Sequence, residues 1–393
     1  MKILDELLDN FLSIGVPGCA LSISYKGEVV YTGYRGVARI EDGKTVDENT
    51  IYQIYSNSKN ITAVAVMKLF EQGHILLNDS IEMYLPFFKN LKVRTIDGSN
   101  EIHIKPLMRP LRIKELLTMT AGIPYIGQGT MAMRSYAEIE NPFKITTMEL
   151  AEKIATIPLD FEPGKHFHYG MCFEILGALI EAVSGKRLGA YLAEEIFEPL
   201  EMSSTTFRLT QSMKKDLASI YELKDGKLMK STAVPKLTDE NGFKGEAGGE
   251  GLLSTIGDMI NFATMLAMGG KYRGRQILSR NTIDLMRENH LEGNAMEDFN
   301  AIVEQSWPWF EGYGWGLGCR TLINKAKAGS NGSLGEFGWC GAAGTYLLAD
   351  PEKQLGIAYA HQLMPVVGNL QDYCHPRIRN VVYSMVDEWE NKL

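Results

Sequence analysis

Both ends of the chain alternate between apolar and polar residues, which is the pattern of half-buried β-strands. Residues 18–38 contain two alternating runs joined by the turn sequence YKGE, and this arrangement predicts a β-hairpin. Residues 344–363 repeat the pattern around the turn sequence ADPEK. The sequence therefore predicts sheet strands near both termini.

Between these hairpins, apolar residues recur at intervals of three and four, as they do on one face of an α-helix. Residues 1–15 predict an amphipathic helix, and residues 369–389 predict a closing helix with Pro376 early in it or at its start. The helices predicted in the middle of the chain are residues 61–71, 113–118, 148–157, 172–184 and 255–267.

These elements predict an α+β fold with one antiparallel sheet built from both termini and flanked by the terminal helices. A large, mostly helical insertion interrupts the sheet. We assign residues 1–393 to a single domain, because no repeat or linker separates independent units. The α/β part is expected at about residues 1–55 and 255–393, and the helical insertion at about residues 56–254.

The composition is typical of a globular enzyme, with 393 residues, 45% hydrophobic and 22% charged. A net charge of −8 argues against nucleic acid as a partner, because phosphate backbones are held by dense Lys/Arg patches. No run approaches the ~18 apolar residues of a membrane-spanning helix. Residues 1–15 carry acids rather than the basic start of a secretory signal. We therefore expect neither nucleic-acid nor membrane partners.

The five cysteines are scattered and form no CxxC pair, which is typical of free thiols in a reducing compartment. We therefore expect a cytoplasmic protein. His166 and His168 lie on one face of an extended segment, but no acid or cysteine follows at ligand spacing, so we expect no metal. The cysteines are Cys19, Cys172, Cys319, Cys340 and Cys374.

The chemical signal begins at the sequence Ser-Asn-Ser-Lys, where Ser56 and Lys59 lie three residues apart at the start of an apolar helix. Residues at this spacing share a helix face, so the hydroxyl and the amine can come within hydrogen-bond reach. A lysine removed from water can take the proton of a serine and make it a nucleophile. The alternative for Ser56 is an ordinary helix cap. A second Ser-x-x-Lys match at residues 212–215 lies in a charged stretch with no apolar helix behind it.

Several ordered segments extend this signal. With them, the sequence resembles the serine β-lactamase and penicillin-binding-protein superfamily over almost its whole length, and the resemblance implies the β-lactamase/transpeptidase-like fold. The nucleophile helix of that superfamily is matched by SNSKNITAVAVMKLFEQGHILLNDSIEMYLPFF, and its later segments by RIKELLTMTAGIP, FEPGKHFHYG and AGGEGLLSTIGDMINFATML.

The second motif of that superfamily is Tyr-x-Asn, and here it is Tyr169-Gly170-Met171. The resemblance implies that the Tyr169 phenol passes protons between the nucleophile, the lysine and the leaving group. Met171 stands in the asparagine position and cannot donate to a substrate amide, so we expect it to contribute to substrate binding only as an apolar residue. The alternative for Tyr169 is an aromatic core residue.

The third motif, Lys-Thr-Gly in β-lactamases and often His-x-Gly or Trp-x-Gly in their relatives, is here Trp339-Cys340-Gly341. The resemblance implies that the backbone N–H groups of Ser56 and Ala342 form the oxyanion hole. We expect Trp339 to form a wall of the substrate pocket, with packing as its alternative role. We expect Gly341 to let the substrate approach the backbone closely.

Two departures from the motifs indicate the substrate. Trp339 replaces the lysine that binds a substrate carboxylate, and Met171 replaces the asparagine that binds a substrate amide. This combination resembles the family VIII carboxylesterases and related polyketide acyltransferases. The resemblance therefore implies a serine hydrolase that acts on a neutral ester or thioester through a Ser56 acyl-enzyme, without a cofactor. The alternatives are an acyltransferase, a weak β-lactamase or D-amino-acid peptidase, and a catalytically silent scaffold.

Two other enzyme classes are disfavoured. No Gly-x-Ser-x-Gly elbow of an α/β-hydrolase occurs, and no Gly-x-Gly-x-x-Gly fingerprint of a dinucleotide-binding fold occurs. The least family-like segments, residues 131–143 and 287–314, are expected at the mouth of the pocket.

Overall fold

The structure is a computed structural model that describes residues 1–99, 101–125, 144–224, 226–231, 244–364 and 370–391. Its strands are β1 Gly18–Tyr25, β2 Glu28–Arg39, β3 Lys44–Thr45, β4 Tyr52–Gln53, β5 Lys92–Ile96, β6 Ile102–Pro106, β7 Tyr221–Lys224, β8 Lys227–Lys230, β9 Leu253–Ser254, β10 Lys271–Tyr272, β11 Arg275–Gln276, β12 Tyr313–Trp315, β13 Arg320–Leu322, β14 Phe337–Cys340, β15 Tyr346–Asp350, β16 Leu355–His361 and β17 Leu363–Met364.

Its helices are α1 Lys2–Ser13, α2 Ser58–Glu71, α3 Ile113–Leu117, α4 Thr147–Ala155, α5 Cys172–Ser184, α6 Leu188–Leu192, α7 Ile256–Ala267, α8 Arg280–Arg287, α9 Gly293–Ser306, α10 Lys325–Ala328, α11 Leu370–Ser384 and α12 Val386–Glu390.

Eight strands form the central antiparallel sheet in the order β12-β13-β14-β15-β16-β1-β2-β3. The N-terminal strand β1 pairs with the C-terminal strand β16, in a register that sets Ile23 opposite Ile357. Both strands are buried along their whole length. This pairing confirms the prediction of one sheet built from both ends of the chain, and the α+β fold class is confirmed with it.

Helices cover both faces of this sheet. On one face, the Thr264 hydroxyl of α7 donates a hydrogen bond of 2.7 Å to Ser24 of β1. On the other, Phe11 of α1 makes an edge contact with Tyr359, which pairs with Leu21 of β1. Residues 21 and 24 differ by an odd number, so their side chains leave opposite faces of the strand. One apolar core continues from the sheet into the helical part that contains α2 and α5.

The predicted helices occur with small changes at their ends. α5 has the predicted bounds, whereas α2 begins at Ser58, three residues before the expected start, and continues a short 3₁₀ turn over Tyr55–Asn57. α7 begins after Thr255, whose hydroxyl accepts the Asp258 N–H at 3.2 Å as an N-cap. The closing helix is divided into α11 and α12, and Pro376 lies inside α11.

All five cysteines are buried and free of disulfide bonds. Among the described residues, none of the helices combines the length and the apolar character needed to cross a lipid bilayer.

Candidate active site

Ser56 lies in the 3₁₀ turn Tyr55–Asn57, between the short strand β4 and helix α2. Tyr55 has a φ of 44°, a left-handed conformation that is uncommon for a residue with a side chain and that turns the chain sharply before Ser56. Ser56 is partly exposed, whereas both of its neighbours are buried. The helix cap position is occupied by Asn57, without a side-chain capping bond, so Ser56 is not the cap of α2.

Lys59 lies in the first turn of α2 with its side chain 0% exposed. Its Nζ donates hydrogen bonds to Ser56 Oγ at 3.1 Å, to the Tyr125 hydroxyl at 2.7 Å and to the Gly249 carbonyl at 2.7 Å. Three acceptors satisfy the three protons of an ammonium group. In the neutral amine, Tyr125 and Gly249 retain the two N–H bonds, and the lone pair then faces Ser56. The geometry thus accommodates both protonation states.

Tyr169 lies in the loop before α5, close to the same amine. Lys59 Nζ is 5.0 Å from the centre of the Tyr169 ring. Burial raises the pKa of the Tyr169 phenol, although the Lys59 charge and a hydrogen bond with Ser56 oppose this rise. The phenol therefore keeps its proton at neutral pH. The structure brings Ser56, Lys59 and Tyr169 together, as predicted, while their catalytic roles stay a prediction.

Tyr125 was not predicted as a site residue. It directly follows the segment RIKELLTMTAGIP, and its ring packs against that of Tyr169 with 5.5 Å between centres. Burial raises the pKa of the Tyr125 phenol well above its usual value, so this group is neutral and accepts from Lys59. The sequence signal was its place beside a family-like segment, but no motif marks the tyrosine itself.

Trp339 contacts Tyr169 rather than lining open space. Its indole is 2% exposed, and its Nε1–H donates a hydrogen bond of 2.8 Å to the Tyr169 hydroxyl. This finding differs from the expected pocket wall, because the ring offers almost no surface to a substrate. The bond orients the phenol and stabilises its oxygen whenever the proton leaves.

An aromatic cluster holds Trp339 in place. Phe310 stacks on it at 5.3 Å, and Trp315 and Trp307 make edge contacts at 4.7 and 5.4 Å. Trp307 also touches the Tyr169 ring at 5.3 Å and is only half-buried, so it brings residues 287–314 to the site. The other segment expected at the mouth, residues 131–143, lies outside the described residues.

The loop after β14 is fixed to the turn that carries Ser56. The Thr345 hydroxyl accepts a hydrogen bond from Asn57 Nδ2 at 2.9 Å and donates to the Ile54 carbonyl at 3.1 Å. A Cβ on Gly341 would overlap the Thr345 hydroxyl and the Ile54 carbonyl. The structure therefore gives Gly341 a reason other than the expected approach of substrate, since a side chain here would separate the two loops.

Ala342 lies at the exposed tip of this loop. Within the described part of the chain, its backbone N–H and that of Ser56 donate to no protein acceptor. The Ala342 carbonyl is held by Gln371 Nε2 at 2.8 Å, which fixes the loop. Two unused N–H groups on joined loops are suited to bind an oxyanion, and this role stays a prediction.

Two carboxyl groups that interact with the amine, the buried Glu174 and the half-buried Glu250, were also missed by sequence reasoning. Glu174 is 3% exposed in the first turn of α5, and Glu250 follows Gly249 in the chain. Their only sequence signal is position, close after Tyr169 and inside the GGEG segment. Met171 is 4% exposed in the main core, so it offers a substrate little surface.

The other chemical candidates are separate from this site. The second Ser-x-x-Lys match forms an exposed surface turn, in which Ser212 bonds only with Thr210 among the described residues. His166 Nδ1 lies 2.9 Å from an Asp298 carboxylate oxygen. His168 is 3.7 Å from a carboxylate oxygen of another residue, Asp160, so the two imidazoles have different partners.

Known proteins resemble this chain over most of its length. The profile of the family described as Beta-lactamase matches residues 4–372. A putative D-alanyl-D-alanine carboxypeptidase of Escherichia coli K12 is 26% identical over 382 residues, which cover 90% of this chain and 80% of that protein.

Two solved structures share the fold. EstCE1, described as a hydrolase with promiscuous acyltransferase activity, superposes with a TM-score of 0.80 at 22% identity and covers 97% of this chain and 98% of its own. The simvastatin synthase LovD of Aspergillus terreus superposes with a TM-score of 0.83 at 21% identity over 98% of both chains. At such identities the likeness shows the fold alone.

Proposed function

The chain belongs to the β-lactamase family of serine hydrolases, and on this premise we propose that it is a carboxylesterase-like enzyme. Its substrate would be a neutral ester or thioester, hydrolysed through an acyl-enzyme on Ser56. The observation that carries the proposal is the contact of 3.1 Å between Lys59 Nζ and Ser56 Oγ. Tyr125 and Gly249 accept the other two hydrogen bonds of the amine. The lone pair of the neutral amine therefore points toward Ser56.

In acylation, the neutral Lys59 amine takes the Ser56 proton while Oγ attacks the carbonyl carbon of the ester. The N–H groups of Ser56 and Ala342 stabilise the oxyanion that forms. Tyr169 then gives its phenolic proton to the leaving alkoxide, and the Lys59 ammonium returns a proton to the phenolate. The Trp339 N–H stabilises the phenolate during this step. Water repeats the sequence on the acyl-enzyme and releases the acid.

The preference for a neutral acyl group rests on the residues that replace the substrate-binding lysine and asparagine of β-lactamases. Trp339 stands where β-lactamases have a lysine, and its indole is engaged with Tyr169. Met171 stands where they have an asparagine and lies in the core. Neither residue provides a charge for a carboxylate or a donor for an amide, and the half-buried Trp307 adds apolar surface beside Tyr169.

Acyl transfer to an alcohol or amine is the second candidate. Both solved structures named above carry acyltransferase or synthase descriptions, and the same acyl-enzyme serves hydrolysis and transfer. Peptidase or β-lactamase activity is less favoured, although the E. coli relative is named as a carboxypeptidase. A silent scaffold is disfavoured by the intact contacts among Ser56, Lys59 and Tyr169.

The test is hydrolysis of p-nitrophenyl acetate and butyrate, with labelling of Ser56 by a fluorophosphonate and mass spectrometry of the adduct. Ser56→Ala is expected to abolish both turnover and labelling. Ser212→Ala is the matched control, because it removes the serine of the exposed Ser-x-x-Lys match, and it is expected to change neither. Turnover that survives Ser56→Ala would refute the proposal.

Two further assays separate the candidates. Formation of an acyl ester or amide when an alcohol or amine is added would favour transfer over hydrolysis. Opening of nitrocefin at a kcat/KM above that for the esters would favour a β-lactamase. Absence of turnover and of labelling with all of these reagents would favour the scaffold.

A further inference from the structure

A buried carboxyl group that the proposed reaction does not use lies behind the catalytic amine. Glu174 is the third residue of α5, and its carboxylate lies close to its own N–H and to the Gly249 N–H, both of which oppose the rise of its pKa. Among the described residues, its Oε2 has no hydrogen-bond partner. An acid with one unsatisfied oxygen in the core is costly to keep charged, so its position calls for an explanation.

Gly249 connects this carboxyl to Lys59. Its N–H lies close to the Glu174 carboxylate, and its carbonyl accepts the Lys59 Nζ hydrogen bond at 2.7 Å. A Cβ on Gly249 would overlap Glu174 Oε1, so the absence of a side chain makes room for the carboxyl. The preceding Gly248 carbonyl accepts from the Thr62 hydroxyl at 2.7 Å, which ties the same segment to α2. Glu174 thus helps to fix the carbonyl that orients the amine.

Among the described residues, four titratable groups interact with Glu174: Lys59, Glu250, Tyr125 and Cys172. Burial raises the pKa of Glu174 to about 7, with Lys59 opposing the rise and Glu250 adding to it. Burial also raises the pKa of Glu250, and of the Tyr125 phenol and the Cys172 thiol, so the last two are neutral near pH 7. Glu174 therefore changes its charge near neutral pH.

Resting on the proposed function, in which Lys59 is the base, we propose that Glu174 is a positioning residue that acts on Lys59 through Gly249 and sets the pH range in which the amine is available as a base. A negative charge on Glu174 favours the ammonium form of Lys59, whereas a neutral carboxyl favours the free amine. Glu174 touches neither Ser56 nor the substrate in this scheme.

Two variants separate charge from position. Glu174→Gln keeps an oxygen for the Gly249 N–H and removes the negative charge. The rising limb of its pH profile of kcat/KM for p-nitrophenyl butyrate is expected about half a pH unit or more below that of the wild type, less than the ~1–3 units typical of a directly contacting charge. Glu174→Asp keeps the charge but withdraws it by one methylene, and is expected to lower kcat with little change in KM and no such movement of the limb.

Glu181→Gln is the matched control on the same helix. The Glu181 carboxylate accepts the Leu188 N–H at 3.0 Å and lies two turns from Glu174, so its profile is expected to coincide with that of the wild type. A Glu174→Gln profile that also coincides with the wild type would overturn the proposal. Circular dichroism checks the fold of each variant. If Glu174→Gln does not fold, an unchanged kcat in Glu174→Asp would overturn the proposal by itself.

Failure of the proposed function can be told apart from failure of this inference. If the wild type hydrolyses no ester and Ser56 takes no label, the proposed function fails. The coupling is then measured directly by NMR of ¹³Cε-labelled lysine, with the Lys59 signal assigned by Lys59→Arg. A titration midpoint at lower pH in Glu174→Gln than in the wild type supports the inference, and identical midpoints overturn it.

Discussion

Replacing Glu174 by glutamine is expected to change how the stability of the protein depends on pH, whether or not any substrate is present. Burial raises the pKa of this carboxyl from its ordinary 4.5 to about 7 in the folded chain. The difference of about 2.5 pH units, at ~1.36 kcal/mol per unit, corresponds to roughly 3 kcal/mol. Since the group is almost fully buried, solvent screens little of this energy.

The sign of this pH dependence of stability follows from the difference in proton binding between the folded and unfolded chains. Between about pH 4.5 and pH 7 the folded protein retains the Glu174 proton that the unfolded chain has released, so the folded state binds more protons. The stability that this group supplies is therefore fully present below about pH 4.5 and is lost as the pH rises through 7. Glutamine cannot titrate, so its amide contributes a constant offset instead of a slope.

Urea unfolding of the wild type and of Glu174→Gln at a series of pH values measures the effect. The free energy of unfolding of the wild type, relative to the variant, is expected to fall by roughly 3 kcal/mol between about pH 4 and pH 8. Glu152→Gln, an exposed position on α4, controls for the loss of one acid. A relative change below about 1 kcal/mol would refute the reasoning, because it would mean that water or another donor solvates the carboxylate.

Four other substitutions test the site. Lys59→Met is expected to fold, by circular dichroism, and to lose about 10²–10⁴-fold in kcat/KM, because it removes the base; near-full turnover would contradict that role. Tyr125→Phe removes one of the three acceptors of Lys59, so kcat for p-nitrophenyl butyrate is expected to fall by about 10–100-fold, the worth of a bond to a charged group. Trp339→Phe removes the donor to Tyr169 and is expected to lower kcat by about tenfold with less change in KM; an unchanged kcat would make the bond incidental. Gly341→Ala places a methyl group against the Ile54 carbonyl and is expected to cost about 1–3 kcal/mol in urea unfolding and to slow acylation; wild-type stability would show that the loops separate freely.

The sheet was predictable from sequence because each terminal hairpin carries its own signal. Alternating residues and short turns identify strands such as β1 and β16 without knowledge of the rest of the chain. That these two strands pair, with Ile23 opposite Ile357, depends on the shared core, and the prediction rested on the economy of one sheet. Short strands such as β4 and β9 have no periodicity to detect, and they were missed.

The site was predictable where a residue belongs to a short motif, and not where its role depends on the fold. Ser56 and Lys59 are three residues apart, so helix geometry alone brings them together. Tyr125 reaches the same amine from 66 residues away, and no local pattern records that contact. Trp339 was recognised by position, but its burial and its bond to Tyr169 depend on an aromatic cluster that only the folded chain assembles.

The proposed role of Lys59 as the base explains why so much of the chain converges on one amine. A base must be stable when protonated and correctly aimed when neutral, and both conditions hold only if two acceptors stay fixed while the third partner reacts. Gly249 and Tyr125 are those two acceptors, and they come from different segments than Ser56. An acceptor in a flexible loop would move when Lys59 gains or loses a proton. Each acceptor must therefore be fixed by a neighbouring group on its other side. Glu174 meets that need for Gly249, since its carboxyl occupies the space that a side chain on the glycine would fill.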